Sequence, residues 1–221
     1  MSVPGREEVL AQSEAAVAQY HRMWLANASH NRRHNKRSQK ELINIGKGKS
    51  AECFAYGPSL LQNIEDFKKL PESEKGDIIC CDKAFHALIL NGLKPKYVVV
   101  ADAKVDGSKY LMPYTKETKD IALIACVTCS TEWTDNWQGP IYFYANKDNL
   151  NSHEHYGTAA GCNELILAGS NVSNSLVILL ILTLSGAKQL EAENLNSYTS
   201  KLFSLTTEKR SNFFELHDTN I

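Results

Sequence analysis

Apolar positions along this chain change their spacing near residue 50. Before it, Val9, Ala16, Val17, Tyr20 and Trp24 recur at three- and four-residue steps, and no proline follows Pro4. That period predicts a helix over 6–45. Gly46-Lys47-Gly48-Lys49 then ends it as a short hinge. Beyond the hinge, short apolar runs alternate with amphipathic segments. The runs predict strands over 52–56, 77–81, 96–101, 121–126 and 141–144. Between them lie helices over 59–70, with Ser59 as its N-cap, and 83–91, closed by Gly92. The Tyr-Val-Val-Val run at 97–100 is of the type buried on both faces of a parallel sheet. Later, Gly169-Ser170-Asn171 opens an apolar helix that runs through Ser185 and ends at Gly186.

Strand–helix alternation of this kind predicts an α/β protein, a doubly wound and mostly parallel sheet preceded by a long N-terminal helix. The chain divides into a helical segment and hinge over 1–49, a nucleotide-binding domain over 50–190, and a weakly patterned tail over 191–221. At 221 residues with 43% hydrophobic content, one such domain has ample core. A net charge of −1 argues against nucleic acid as a partner. Arg6, Glu7 and Glu8 stand where an export signal would be apolar. The longest apolar run, 176–182, falls short of the roughly 18 residues that span a bilayer. The expectation is a soluble cytoplasmic protein whose six cysteines are reduced thiols. The all-round apolar helix at 172–184 suits either a buried position or a homo-oligomer contact.

In an open parallel sheet, ligands bind beyond the carboxyl ends of the strands. Gly57, Pro58 and Ser59 follow the first strand, Asp82 and Lys83 the second, and Asp102 the third; Gly169, Ser170 and Asn171 open the late helix. A strand that ends in glycine and reopens as a helix offers backbone amides and a positive dipole end to an anion. A phosphate cradle, a lysine and a carboxylate able to hold Mg²⁺ are what phosphoryl or nucleotidyl chemistry requires. The bland alternative is a plain turn with capping residues.

Phe54-Ala55-Tyr56-Gly57-Pro58-Ser59-Leu60, Cys81-Asp82-Lys83-Ala84, Leu88 to Pro95 and Val98-Val99-Val100-Ala101-Asp102 follow one another in this order. In that set, over roughly residues 40–187, the chain resembles the archaeal 6-hydroxymethylpterin diphosphokinase-like family. That family is related to flagellar motility accessory factors and, more distantly, to bacterial sialyltransferases. The resemblance implies a Rossmann-like transferase with ATP as co-substrate, Mg²⁺ as cofactor and a pterin-like hydroxymethyl acceptor. It places Gly57, Pro58 and Ser59 on phosphate, Asp102 on the metal, and Lys83 beside the developing charge. Asp82, Gly169, Ser170 and Asn171 would bind the nucleotide. In the glycosyltransferase branch the same turn would hold a CMP-sugar, and a non-catalytic nucleotide-binding or interaction module would keep only the fold. The chain departs from the family where Gly186-Ala187-Lys188 runs into Gln189 to Asn194 instead of a strand ending in Gly-x-Asp.

Three further patterns have simpler readings. Cys126-Val127-Thr128-Cys129 has the spacing of a redox dithiol or, with His153 and His155, of a zinc site; chance spacing is favoured. Arg32, Arg33, Lys36 and Arg37 would grip nucleic acid or an acidic partner, form a solvated helix face, the favoured reading, or lean an arginine over the phosphate turn. Trp133, Trp137, Tyr142 and Tyr144 would stack on a pterin or base, or would be core, the favoured reading.

Overall fold

The computed structural model describes residues 6–34, 36–46, 49–146, 152–162 and 165–166. The expected helix at 172–185, the Gly169-Ser170-Asn171 entry, the tail over 191–221 and Lys47-Gly48 of the hinge lie outside these residues.

Six strands, β1 (Ala51–Phe54), β2 (Asp77–Cys81), β3 (Tyr97–Val100), β4 (Ala122–Cys126), β5 (Ile141–Asn146) and β6 (Leu165–Ile166), form one sheet in consecutive order. Every pairing is parallel, with Cys53 beside Ile79, Cys80 beside Val98, Val99 beside Ile124 and Ala125 beside Phe143. The α/β architecture with its parallel sheet and long N-terminal helix is therefore as the pattern predicts. A reversal of strand order, which opens the ligand crevice in many such sheets, does not fall among the described strands. β1, β3 and β4 are buried at every position; β3 and β4 accordingly read as unbroken apolar runs, whereas β1 carries the buried Glu52.

The helices are α1 (Arg6–Asn31), α2 (Leu60–Lys69), α3 (Asp82–Leu90), α4 (Gly107–Tyr110), α5 (Thr131–Asn136) and α6 (Ser152–Ala160). α2 buries Leu60, Ile64 and Phe67, one side chain per turn, each worth roughly 1.5–3 kcal/mol. α3 ends in a Schellman motif: the Leu93 amide donates to Leu88 O at 2.9 Å and the Gly92 amide to Ile89 O at 3.0 Å. Gly92 takes φ +75°, which a side chain would strain.

The N-terminal helix is shorter than its spacing predicts. It stops at Asn31, followed by a 3₁₀ turn over Arg32–His34. Arg37 and Ser38 then run beside β5, where the Phe143 amide donates to Arg37 O at 3.1 Å. A second 3₁₀ turn, Gln39–Leu42, starts from a capping box in which Ser38 Oγ accepts from Lys40 N and Glu41 Oε1 from Ser38 N.

Candidate functional site

Because β1 to β4 are parallel and adjacent, the segments that follow them share one rim of the sheet. The first bends at Gly57-Pro58-Ser59 into α2. There the Leu60 amide donates to Gly57 O at 3.1 Å and the Asn63 amide to Ser59 O at 2.9 Å. No described residue accepts a hydrogen bond from the Gly57 amide, so the bend leaves that donor for a ligand or water. Ser59 does not cap α2 with its side chain. Its backbone is already helical (φ −88°, ψ 0°), whereas a capping hydroxyl reaches the helix amides from an extended conformation.

Asp82 is the first residue of α3 and is 2% exposed. One oxygen accepts from the Lys83 amide at 2.7 Å; the other, Oδ2, is buried with no hydrogen-bond partner. Burial pushes its carboxyl up to about 6; the Lys83 amide opposes the rise and the Asp102 charge adds to it. Asp102, after β3, is exposed; its Oδ1 accepts from the Lys104 amide at 2.8 Å and its carbonyl from the Ser130 amide at 3.0 Å. Two sequence-selected acids thus sit within electrostatic reach of each other at the ends of neighbouring strands. Lys83, half-buried, is the second residue of α3. Cys81 precedes the same helix start without a side-chain capping hydrogen bond, and burial pushes its thiol up to about 12 although the Ala84, Tyr56 and Lys83 amides face it.

Two residues of α1 support the far side of the rim. Asn31, fully buried, donates from Nδ2 to Val127 O at 2.9 Å and Cys129 O at 3.1 Å, and its Oδ1 accepts from the Thr134 hydroxyl at 2.7 Å. Asn27 donates to Thr128 O at 3.1 Å. The Cys126–Cys129 segment is therefore a wall of the rim. Both sulfurs are buried and outside any disulfide, and burial raises the Cys129 thiol well above its ordinary range. Among the described residues no group of three His, Cys, Asp or Glu side chains could hold a metal ion. The basic segment points elsewhere. Arg33, His34 and His30 gather on Asp135 at 2.6, 2.8 and 3.0 Å, and Arg37 donates to the Tyr142 hydroxyl at 2.9 Å.

Trp133 and Trp137 stack at 6.1 Å inside the core against Phe85, and Tyr144 is fully buried, in line with the favoured reading of that aromatic set. Three further residues of the rim are not singled out as site residues by the sequence pattern. Tyr56 is 53% exposed immediately before the bend. His86, one turn beyond Asp82 on α3, has Nδ1 at 3.1 Å from Lys83 O. A carbonyl only accepts, so Nδ1 is the donor in that bond. Asn63, in the first turn of α2, buries an Nδ2 with no partner. The spacing of His86 four residues after Asp82 is the one local cue that would have flagged any of them.

The family model described as 6-hydroxymethylpterin diphosphokinase MptE-like matches residues 22–189. Among solved structures, the MAf glycosyltransferase from Magnetospirillum magneticum AMB-1 aligns with a TM-score of 0.52 at 18% identity, over 73% of this chain. The alignment spans 25% of that enzyme, so the chain corresponds to about a quarter of its length and shares its fold. No curated protein matches the chain in sequence.

Proposed function

Because the chain belongs to the 6-hydroxymethylpterin diphosphokinase MptE-like family, we propose that it is a nucleotide-dependent transferase. In this reading it transfers a diphosphoryl group from ATP to the hydroxymethyl of a pterin-like acceptor. The observation that carries the reading is the buried, unpartnered oxygen of Asp82 in electrostatic contact with Asp102, on the rim that also holds the open Gly57 amide. A phosphate and two carboxylates on one rim repel one another unless a cation lies among them. Asp102 suits that cation. It is exposed and spends one oxygen on Lys104 N, and Mg²⁺ is held by one or two carboxylates together with substrate phosphates. Bound there, Mg²⁺ would supply electrophilic charge to the transferred group. The chain's own part is positional. The Gly57 amide and the start of α2 orient the donor phosphate, Lys83 offsets charge on the leaving oxygens, and Asp82 biases the rim toward cations.

A second reading is transfer of a sugar from CMP, supported by the fold shared with the MAf glycosyltransferase. Thermal unfolding separates the two. ATP with Mg²⁺ raises Tm if the diphosphokinase reading holds, whereas CMP alone does so under the glycosyltransferase reading. A ligand at about 100 times its Kd stabilises by roughly 2.7 kcal/mol. Asp102→Asn should remove the Mg²⁺-dependent part of the shift while leaving the unliganded Tm unchanged, since the side chain is exposed. If neither nucleotide moves Tm, the chain is a non-catalytic module.

A further inference from the structure

A nucleotide or a pterin has a flat ring as well as its phosphates, and the buried tryptophans and Tyr144 offer that ring no surface. The rim does. Tyr56 exposes 53% of its surface, and its ring meets Tyr110 at 6.2 Å and 72°. Tyr110 is 9% exposed and meets His86 at 5.3 Å, and His86 is tied to Lys83 O by Nδ1. Tyr114 flanks His86 at 6.5 Å and packs against Phe85 in the core at 6.4 Å. The exposed ring is thus the solvent end of a braced aromatic row that runs into the protein.

We propose that Tyr56, steadied by Tyr110 and His86, is a stacking platform for the planar heteroaromatic ring of the ligand whose phosphate occupies the adjacent bend. This rests on the phosphate-binding reading of Gly57–Ser59. The Cα of Tyr56 is about 3.8 Å from that of Gly57 across one trans peptide, so ring and amide lie within the span of a single nucleotide. A tyrosine braced in this way loses little side-chain freedom when a ring covers it. A nucleobase and a pterin present the same flat π-face, and such stacking tolerates either.

Calorimetric titration of the full chain and of its Tyr56→Ala and Tyr56→Phe variants tests this. The probes are inorganic pyrophosphate with Mg²⁺, ATP, CMP and 6-hydroxymethylpterin. Whichever ring-bearing probe the wild type binds, Tyr56→Ala should weaken it roughly 5- to 150-fold, the range of base–aromatic stacking. Tyr56→Phe should keep its affinity, and pyrophosphate binding should be the same in all three proteins. Equal affinity of Tyr56→Ala for the ring-bearing probe overturns the platform. So does a wild type that binds pyrophosphate but no ring. A wild type that binds a ring but not pyrophosphate removes the phosphate-site reading and leaves the platform to be decided by Tyr56→Ala. Binding of no probe removes both.

Discussion

A carboxyl group buried to 2% exposure, with one oxygen unpartnered, sets its own stability profile. Asp82 rises from 3.8 to about 6 on folding. The folded state therefore holds the proton more tightly than the unfolded chain, and stability from this residue falls as pH rises from about 4 to about 6. Below that window both states are protonated and the penalty vanishes; above it the penalty is complete, at most about 3 kcal/mol. Asp82→Asn removes the titration. In urea unfolding at a series of pH values, its stability relative to wild type should climb between pH 4 and 6 and stay level above. A difference that does not vary with pH would mean that the wild-type carboxyl ionises as freely folded as unfolded. The sequence could mark Asp82 as a strand-end acid. It could not show that the oxygen is orphaned, because that depends on what packs over it. For the same reason the pattern of Trp133, Trp137, Tyr142 and Tyr144 leaves core or stacking open, with core favoured, and it does not single out Tyr56, a ring that is exposed among the described residues. Aromatic content is visible in a sequence; which ring remains at the surface is settled by the packing of all of them.

Strands and the two central helices were legible because their burial is periodic. β2 lies where its pattern places it, and α3 closes on Gly92 as predicted. The end of α1 was not legible. Residues 32–42 contain no glycine or proline, and local propensity lets the helix continue. Tertiary hydrogen bonds stop it instead. Asn31 turns inward onto Val127 and Cys129, and Arg37 pairs with β5. Asn31 thus couples the helix to the rim, and its removal should loosen both. Asn31→Ala leaves two carbonyls and the Thr134 hydroxyl without this partner in a buried place, a cost of roughly 2–4 kcal/mol. Denaturant unfolding reads the loss, and faster proteolytic cleavage within α1 locates it. The ion cluster around Asp135 adds little to this docking. Partial burial pulls its carboxyl up, yet hydrogen bonds from Arg33, His34 and His30 hold it down to about 2, and the group is a third exposed. An Asn31→Ala protein as stable as wild type would place the anchor of α1 elsewhere, with Trp24 and Tyr156 at 5.8 Å the next candidates.

All six cysteines of the chain are buried and outside any disulfide, and they are spread from β1 to the second residue after α6. They sample the whole core at once. Burial pushes the Cys53, Cys80 and Cys129 thiols above their ordinary range and Cys81 up to about 12, so none of these four is a thiolate near neutral pH. A thiol reagent should therefore wait for the core to open. At pH 8 the native protein should label far more slowly than its urea-unfolded form, and the sites should react together as the molecule unfolds. A bound ligand that stabilises the fold should slow that labelling in proportion, which gives a second measure of nucleotide binding free of any assumption about turnover. The same experiment bears on Cys126 and Cys129. If mild oxidant joins them in the native protein while the other four stay reduced, their spacing is a redox motif after all. If the pair remains reduced until the core opens, the motif is two core residues that happen to flank the turn held by Asn31.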